Sequence, residues 1–314
     1  MWDDDTGSVL TTGRCLEGAV GAHNLCVVAD LEAEEALRAA YDPHGKYLVF
    51  AIGGEYRDPA DSRGKHTTYD GISLYGLTPL QKKYKDWSAL EFAKIKRFLK
   101  GDHPGQIEGR SKCMANGVGI SEFDGQSALT WWNGEYWVYA RSNLQESGHR
   151  SVQVCHGKTL ETLGEFQMCT FKGVAHGTGG YDVYFLHPYV LPNKKGMMAL
   201  MSFVPPAESK SQAEPAGVHC IVTADGINWL KPYAAHKCED HARRAYDLPV
   251  NGKLEFNAAD KDDAGGAGTD HDGITFCVHR NVPCRLPANS TGHKEGVDIV
   301  SCRLPPYMCK IWNE

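Results

Sequence analysis

Long apolar runs are missing from this sequence: no stretch approaches the ~20 residues that span a bilayer as a helix, so no membrane helix is expected. Charge of one sign is also lacking. The formal net charge is -6, with acidic and basic residues interspersed. That leaves no basic stripe for nucleic-acid phosphates and no polybasic anchor for an anionic membrane. Neither nucleic acid nor membrane is an expected partner. The eleven cysteines are odd in number and irregularly spaced, without a CxxC pair. Several sit in apolar strand patterns, as Cys155, Cys220 and Cys277 do, where a free thiol packs as a small hydrophobe. No GxSxG elbow, P-loop or dinucleotide fingerprint occurs. The start Met1-Trp2-Asp3-Asp4-Asp5 has neither the basic nor the apolar region of a signal peptide, so a cytoplasmic protein is expected unless a leader was removed.

What is present is β-strand punctuation. Residues 122–155 (EFDGQSALTWWNGEYWVYARSNLQESGHRSVQVC) hold three strand-like runs and two turns. Asn133-Gly134 separates residues 127–132 from 135–141, and a type I′ turn needs φ > 0 at both central positions, which Asn and Gly tolerate best. An antiparallel hairpin follows. In its second strand Tyr136, Val138 and Ala140 fall on one face and Trp137, Tyr139 and Arg141 on the other. A polar turn over 145–149 leads into a third strand at 150–155, completing a meander.

Similar units recur along the chain. Residues 46–52 and 71–76, 197–204 and 217–223, and 273–279 and 296–303 form pairs of strands of similar length. Divergent four-stranded blades would account for them. Five blades of ~50–60 residues would use the chain. The expected architecture is all-β: a single five-bladed β-propeller over residues 1–314, irregular over 1–25, with one or two short helical insertions. Residues 88–100 (SALEFAKIKRFLK) predict a helix, from the capping box Ser88/Glu91, the spacing of Phe92, Ile95 and Leu99, and Gly101 beyond. Residues 30–40 predict a second, with Asp30 as N-cap. Residues 205–215 and 258–272 read as surface loops.

Residues 123–143 and 148–154, followed by 159–166 (TLETLGEF), resemble the repeating unit of five-bladed β-propellers related to invertases and arabinanases. Ala224-Asp225-Gly226-Ile227-Asn228-Trp229 looks like the closing turn of a later blade. Tyr181-Asp182-Val183-Tyr184-Phe185, Asp247-Leu248-Pro249-Val250-Asn251-Gly252 and Val278-His279-Arg280-Asn281-Val282-Pro283 are similar to a branch of that superfamily found in algae and other protists. The resemblance covers roughly residues 40 to 305 through short motifs.

It implies a carbohydrate in an axial funnel and glycoside hydrolysis by paired carboxylates, roughly 5–5.5 Å apart for retention or ~6.5–9.5 Å for inversion. The family pattern places three acids on first strands. The matching positions are Asp124 as nucleophile or base, Asp182 to orient substrate and tune pKa, and Asp247 or one of Glu255 and Glu295 as acid. Each has a plain alternative. Asp124 precedes Gly125 and could serve a turn, and Asp247 precedes Leu248-Pro249 and could do the same. Asp182 stands between Tyr181 and Tyr184 in an apolar strand, where a charge is costly unless it faces a polar channel. Glu255 and Glu295 could be merely solvated.

Arg141, His279 and Arg280 end strands near the funnel, and guanidinium forks suit sugar hydroxyls or an acidic group. Their alternative is an ion pair with a channel Asp. Trp131 and Trp132 could stack on a sugar ring, but alternation sends them to opposite faces, so at least one packs between blades. The chain also departs from the hydrolase pattern. Arg57-Asp58-Pro59 follows a strand instead of opening one, no Asn-Asp-Pro occurs near the start, and Cys238-Glu239 reverses the Glu-Cys pair. A non-catalytic glycan-binding or scaffold propeller is therefore the competing reading. No cofactor is expected. His271, Asp272, Cys277 and His279, with Asp240 and His241, lack zinc spacing, and Ca²⁺ held by channel Asp side chains is the alternative.

Overall fold

The computed structural model describes residues 2–3, 8–9, 22–28, 30–56, 69–79, 90–100, 127–143, 150–172, 182–191, 193–204, 217–230, 233–237, 248–249, 255–257, 273–283 and 295–304. In chain order the elements are β1 (Trp2–Asp3), β2 (Ser8–Val9), β3 (Ala22–Val27), α1 (Leu31–Tyr41), β4 (Phe50–Tyr56), β5 (Tyr69–Pro79) and β6 (Leu90–Lys100). Then come β7 (Ala128–Trp132), β8 (Glu135–Asn143), β9 (Arg150–Gly157), β10 (Gln167–Met168), β11 (Thr170–Phe171), β12 (Asp182–Val190) and β13 (Met197–Val204). The last are β14 (Gly217–Thr223), β15 (Asn228–Trp229), β16 (Tyr233–Lys237), β17 (Leu248–Pro249), β18 (Glu255–Asn257), β19 (Gly273–Pro283) and β20 (Glu295–Leu304).

The described residues are mostly strand, with one helix. Among them, no helix is long and apolar enough to cross a membrane, which says nothing of a membrane β-barrel. Three sheets are four-stranded antiparallel meanders: β3-β4-β5-β6, β7-β8-β9-β10 and β12-β13-β14-β16. A fourth sheet has β19 at its centre, with β17 and β18 along one side and β20 along the other. The three strand pairs expected from the sequence are adjacent: β4 with β5, β13 with β14, and β19 with β20. Strands also occupy part of the N-terminal stretch expected to be irregular, where β1 pairs with β2 and β3 begins. The loops expected at 205–215 and 258–272 lie outside the described residues.

Asn133 (φ 54°) and Gly134 (φ 78°) both take the left-handed conformation that a type I′ turn demands. Trp132 and Glu135 close the hairpin as direct partners. Both faces of β8 are covered: Tyr136, Trp137, Val138, Tyr139 and Ala140 are all buried. The alternation read from the sequence therefore separates two packed faces, not core from solvent.

The helix expected over 88–100 is corrected. Residues 90–100 form β6, the edge of the first sheet, paired along β5. The reason lies in two bulges. Register with β5 skips one residue at Phe98 and another at Ile95, so apolar residues at helical spacing are absorbed by a strand that changes face. Phe92 joins Ala51, Tyr75 and Leu77 in one cluster, whereas Leu99 joins Ile72, Leu74, Phe50 and Ile52 in the main core. A helix would present one apolar stripe; this segment serves two clusters on opposite faces.

The other predicted helix is present. Asp30 is the N-cap, its side chain accepting from the Ala33 amide at 3.0 Å. Its second carboxylate oxygen accepts from the Trp131 amide at 3.0 Å and from the Thr130 hydroxyl. One carboxylate thus caps α1 and fastens it to β7, 100 residues on. At the far end Asp42 accepts from the Lys46 and Tyr47 amides at 2.6 and 2.9 Å, turning the chain toward β4. Gly45 supplies the positive φ (67°) inside that turn.

The second and third meanders interlock. The Trp132 indole donates to the Lys194 carbonyl at 2.9 Å, in the turn between β12 and β13. The Tyr139 hydroxyl donates to the Gly226 carbonyl at 2.9 Å and lies 3.9 Å from the Met197 sulfur. Gly226 (φ 77°) has no room for a side chain, since a Cβ there would stand 2.4 Å from the Trp137 ring. Trp229, 1% exposed, meets Tyr139 edge-on with ring centroids 6.0 Å apart. Outside this seam, β11 pairs in parallel with β15, tying the end of one meander to the next.

Candidate functional site

These anchors fix the sense of β12. Trp132, at the end of β7, touches the turn beyond Val190, and Tyr139, opposite Ala128 at the start of β7, touches Met197, opposite Val190. Moving from the hairpin toward the start of β7 therefore moves back along β12. Its first residue, Asp182, points the chain toward the end where β7 begins and β8 finishes. A bulge falls directly after Val183, at Tyr184.

That end of the second meander differs in chemistry from the hairpin end. Leu129, Trp132, Tyr136, Trp137, Val138 and Cys155 make the hairpin half apolar, and all are buried. At the other end Ser127, Arg141, Ser142, Ser151 and Gln153 are buried as well, each 4% exposed or less. Ser142 and Ser151 are direct partners, and Gln153 donates from its amide to the Arg141 carbonyl at 3.2 Å. Polar groups buried together are costly unless they bond to one another or to a ligand.

The predicted residues distribute as follows. Asp124 and Asp247 lie outside the described residues. Asp182 opens β12, opposite Val204. Arg141 is buried near the end of β8, opposite Val152. Glu255 opens β18 opposite Thr275, and Glu295 opens β20 opposite Pro283. His279 stands in the central strand between Leu248 and Ile299, and Arg280 is opposite Asp298. The register thus pairs His279 with Leu248, the residue after Asp247, and Arg280 with Asp298. Trp132 is the tryptophan that packs between sheets. Trp131 lies on the other face, half-buried, edge-on to Tyr136 at 4.7 Å.

Two features escaped the sequence reading. Asp298 carries the signal used for Asp182, an acid inside an apolar strand (GVDIV), and could have been found by it. The second is a pair at the hairpin end, where His156 Nδ1 lies 2.6 Å from Glu135 Oε2 and its ring stacks on Trp137 at 4.2 Å. Residues 21 apart meeting diagonally across two strands leave no sequence signature.

The charged groups with displaced titration are elsewhere. The Lys96 ammonium bonded to Glu161, helped by the Tyr41 hydroxyl at 2.7 Å, holds that carboxyl down at about 2. Burial and the Glu161 charge push Tyr136 up to about 12. Burial also raises Asp225, but bonds from Asn228, Ile227 and Thr223 outweigh it and bring the carboxyl to about 2. Cys155 and Cys169 are driven upward by burial, which leaves them as unreactive thiols. Among the described residues, no group of three or more His, Cys, Asp or Glu could hold a metal ion.

No family model matches the chain, and no curated protein does. Among solved structures, the chain is similar to an N-acetylgalactosamine deacetylase from F. plautii in complex with blood group B trisaccharide. That likeness has a TM-score of 0.45 and 11% identity, over 92% of this chain and 74% of that one. It is also similar to a glycoside hydrolase, with TM-score 0.41 and 13% identity over 81% of this chain and 61% of that one. Native Bacillus subtilis arabinanase Arb43A gives 0.41 and 10% over 83% and 69%. Likeness of this extent assigns neither family nor activity to the chain.

Proposed function

We propose that this chain is a glycan-active five-bladed β-propeller that takes carbohydrate at the funnel-side ends of its inner strands. The observation that carries the reading is the polar end of the β7–β10 sheet. A buried arginine on one face of that end and three buried serines, Ser127, Ser142 and Ser151, on the other lie there, whereas the hairpin half is mostly apolar. Asp124, three residues before Ser127, would act as nucleophile or base, and Asp182 would orient the substrate and tune pKa. Asp247, or Glu255 or Glu295, would be the acid. Hydrolysis would follow from one carboxylate held protonated and one ionised across the glycosidic bond, with no cofactor. Arg141, His279 and Arg280 would bind sugar hydroxyls or an acidic substituent.

A second reading has an observation of its own. Arg141 is only 4% exposed, which suits a guanidinium locked in the scaffold of a non-catalytic glycan-binding propeller. A glycan array followed by a hydrolysis screen, on wild type and on Asp124→Asn and Asp182→Asn, separates them. Product from wild type with loss in both variants supports the enzyme. Binding that persists in all three with no product supports the scaffold, and no binding by wild type removes both.

A further inference from the structure

We draw no further inference here: the strongest candidate, the partly exposed side-chain cluster in which Tyr41 of α1 and Lys96 of β6 meet Glu161 of the β9–β10 connection, carries nothing, because its polar groups already bond one another as a tie between the first and second meanders and nothing among the described residues shows a place for a ligand beside them.

Discussion

The two ends of the β7–β10 sheet both bury most of their side chains but differ in chemistry. At the hairpin end every large side chain has a partner. Trp132 bonds to Lys194, and Trp137 stacks on His156 and donates to the Trp132 carbonyl at 3.2 Å. At the other end two of the buried hydroxyls, those of Ser127 and Ser151, have no hydrogen bond among the described residues. Burial at the first end stabilises the fold; at the second it carries a cost.

The contrast predicts a graded series of effects. The largest is expected at the seam between the second and third meanders. Trp229→Ala, which empties a site 1% exposed, should cost about 3–5 kcal/mol in denaturant unfolding. A loss under about 1 kcal/mol would mean the seam between the second and third meanders is not part of the cooperative core. Gly226→Ala should come next, at about 2 kcal/mol or more, since it combines a φ of 77° with a Cβ 2.4 Å from Trp137. Asp30→Ala removes both the helix cap and the tie to β7, for about 1–2 kcal/mol. If its cost equals that of a cap alone in a double-mutant cycle with Thr130→Val, the tie contributes nothing.

The pH dependence is smaller. Glu161 and Asp225 have folded-state carboxyls at about 2, below their ordinary values of 4.5 and 3.8. Depressed carboxyls bind fewer protons in the folded than in the unfolded state. Their contribution is therefore present above pH ~4.5 and is lost as pH falls toward ~2. Glu161 is exposed enough that salt should screen much of its share. Acid titration of unfolding in Glu161→Gln should show a shallower slope over that window. Ser127→Ala and Ser151→Ala should have the smallest effects on stability, zero or slightly positive. A clear loss there would erase the difference between the two ends.

What was legible in the sequence follows the range of the interactions. Asn133-Gly134 announced its hairpin because a turn's demand for positive φ is met by adjacent residues. Asp30 announced α1 because a cap acts within one helical turn. Its second role at Thr130 and Trp131 was invisible, since a partner 100 residues away has no local pattern. The segment that became β6 misled for a related reason. Phe92, Ile95 and Leu99 carry helical spacing, and only pairing with β5 through two bulges turns it into a strand facing two clusters. The candidate acids show the same limit. Asp182 was singled out by its apolar neighbours, and Asp298 could have been, but only the register of β19 with β20 sets Asp298 against Arg280. The orphaned serines carried no sequence signal, because a hydroxyl's lack of partners is a property of the packed sheet.

The central claim is that the polar end of this sheet binds carbohydrate. Its most direct test is calorimetric titration of wild type and Asp182→Asn with a sugar that wild type binds on the glycan array. Saturable binding by wild type and at least about tenfold weaker binding by the variant, at an unchanged melting temperature, is the expected result. Equal affinity in the two proteins, or no saturable binding of any sugar by wild type, would contradict it.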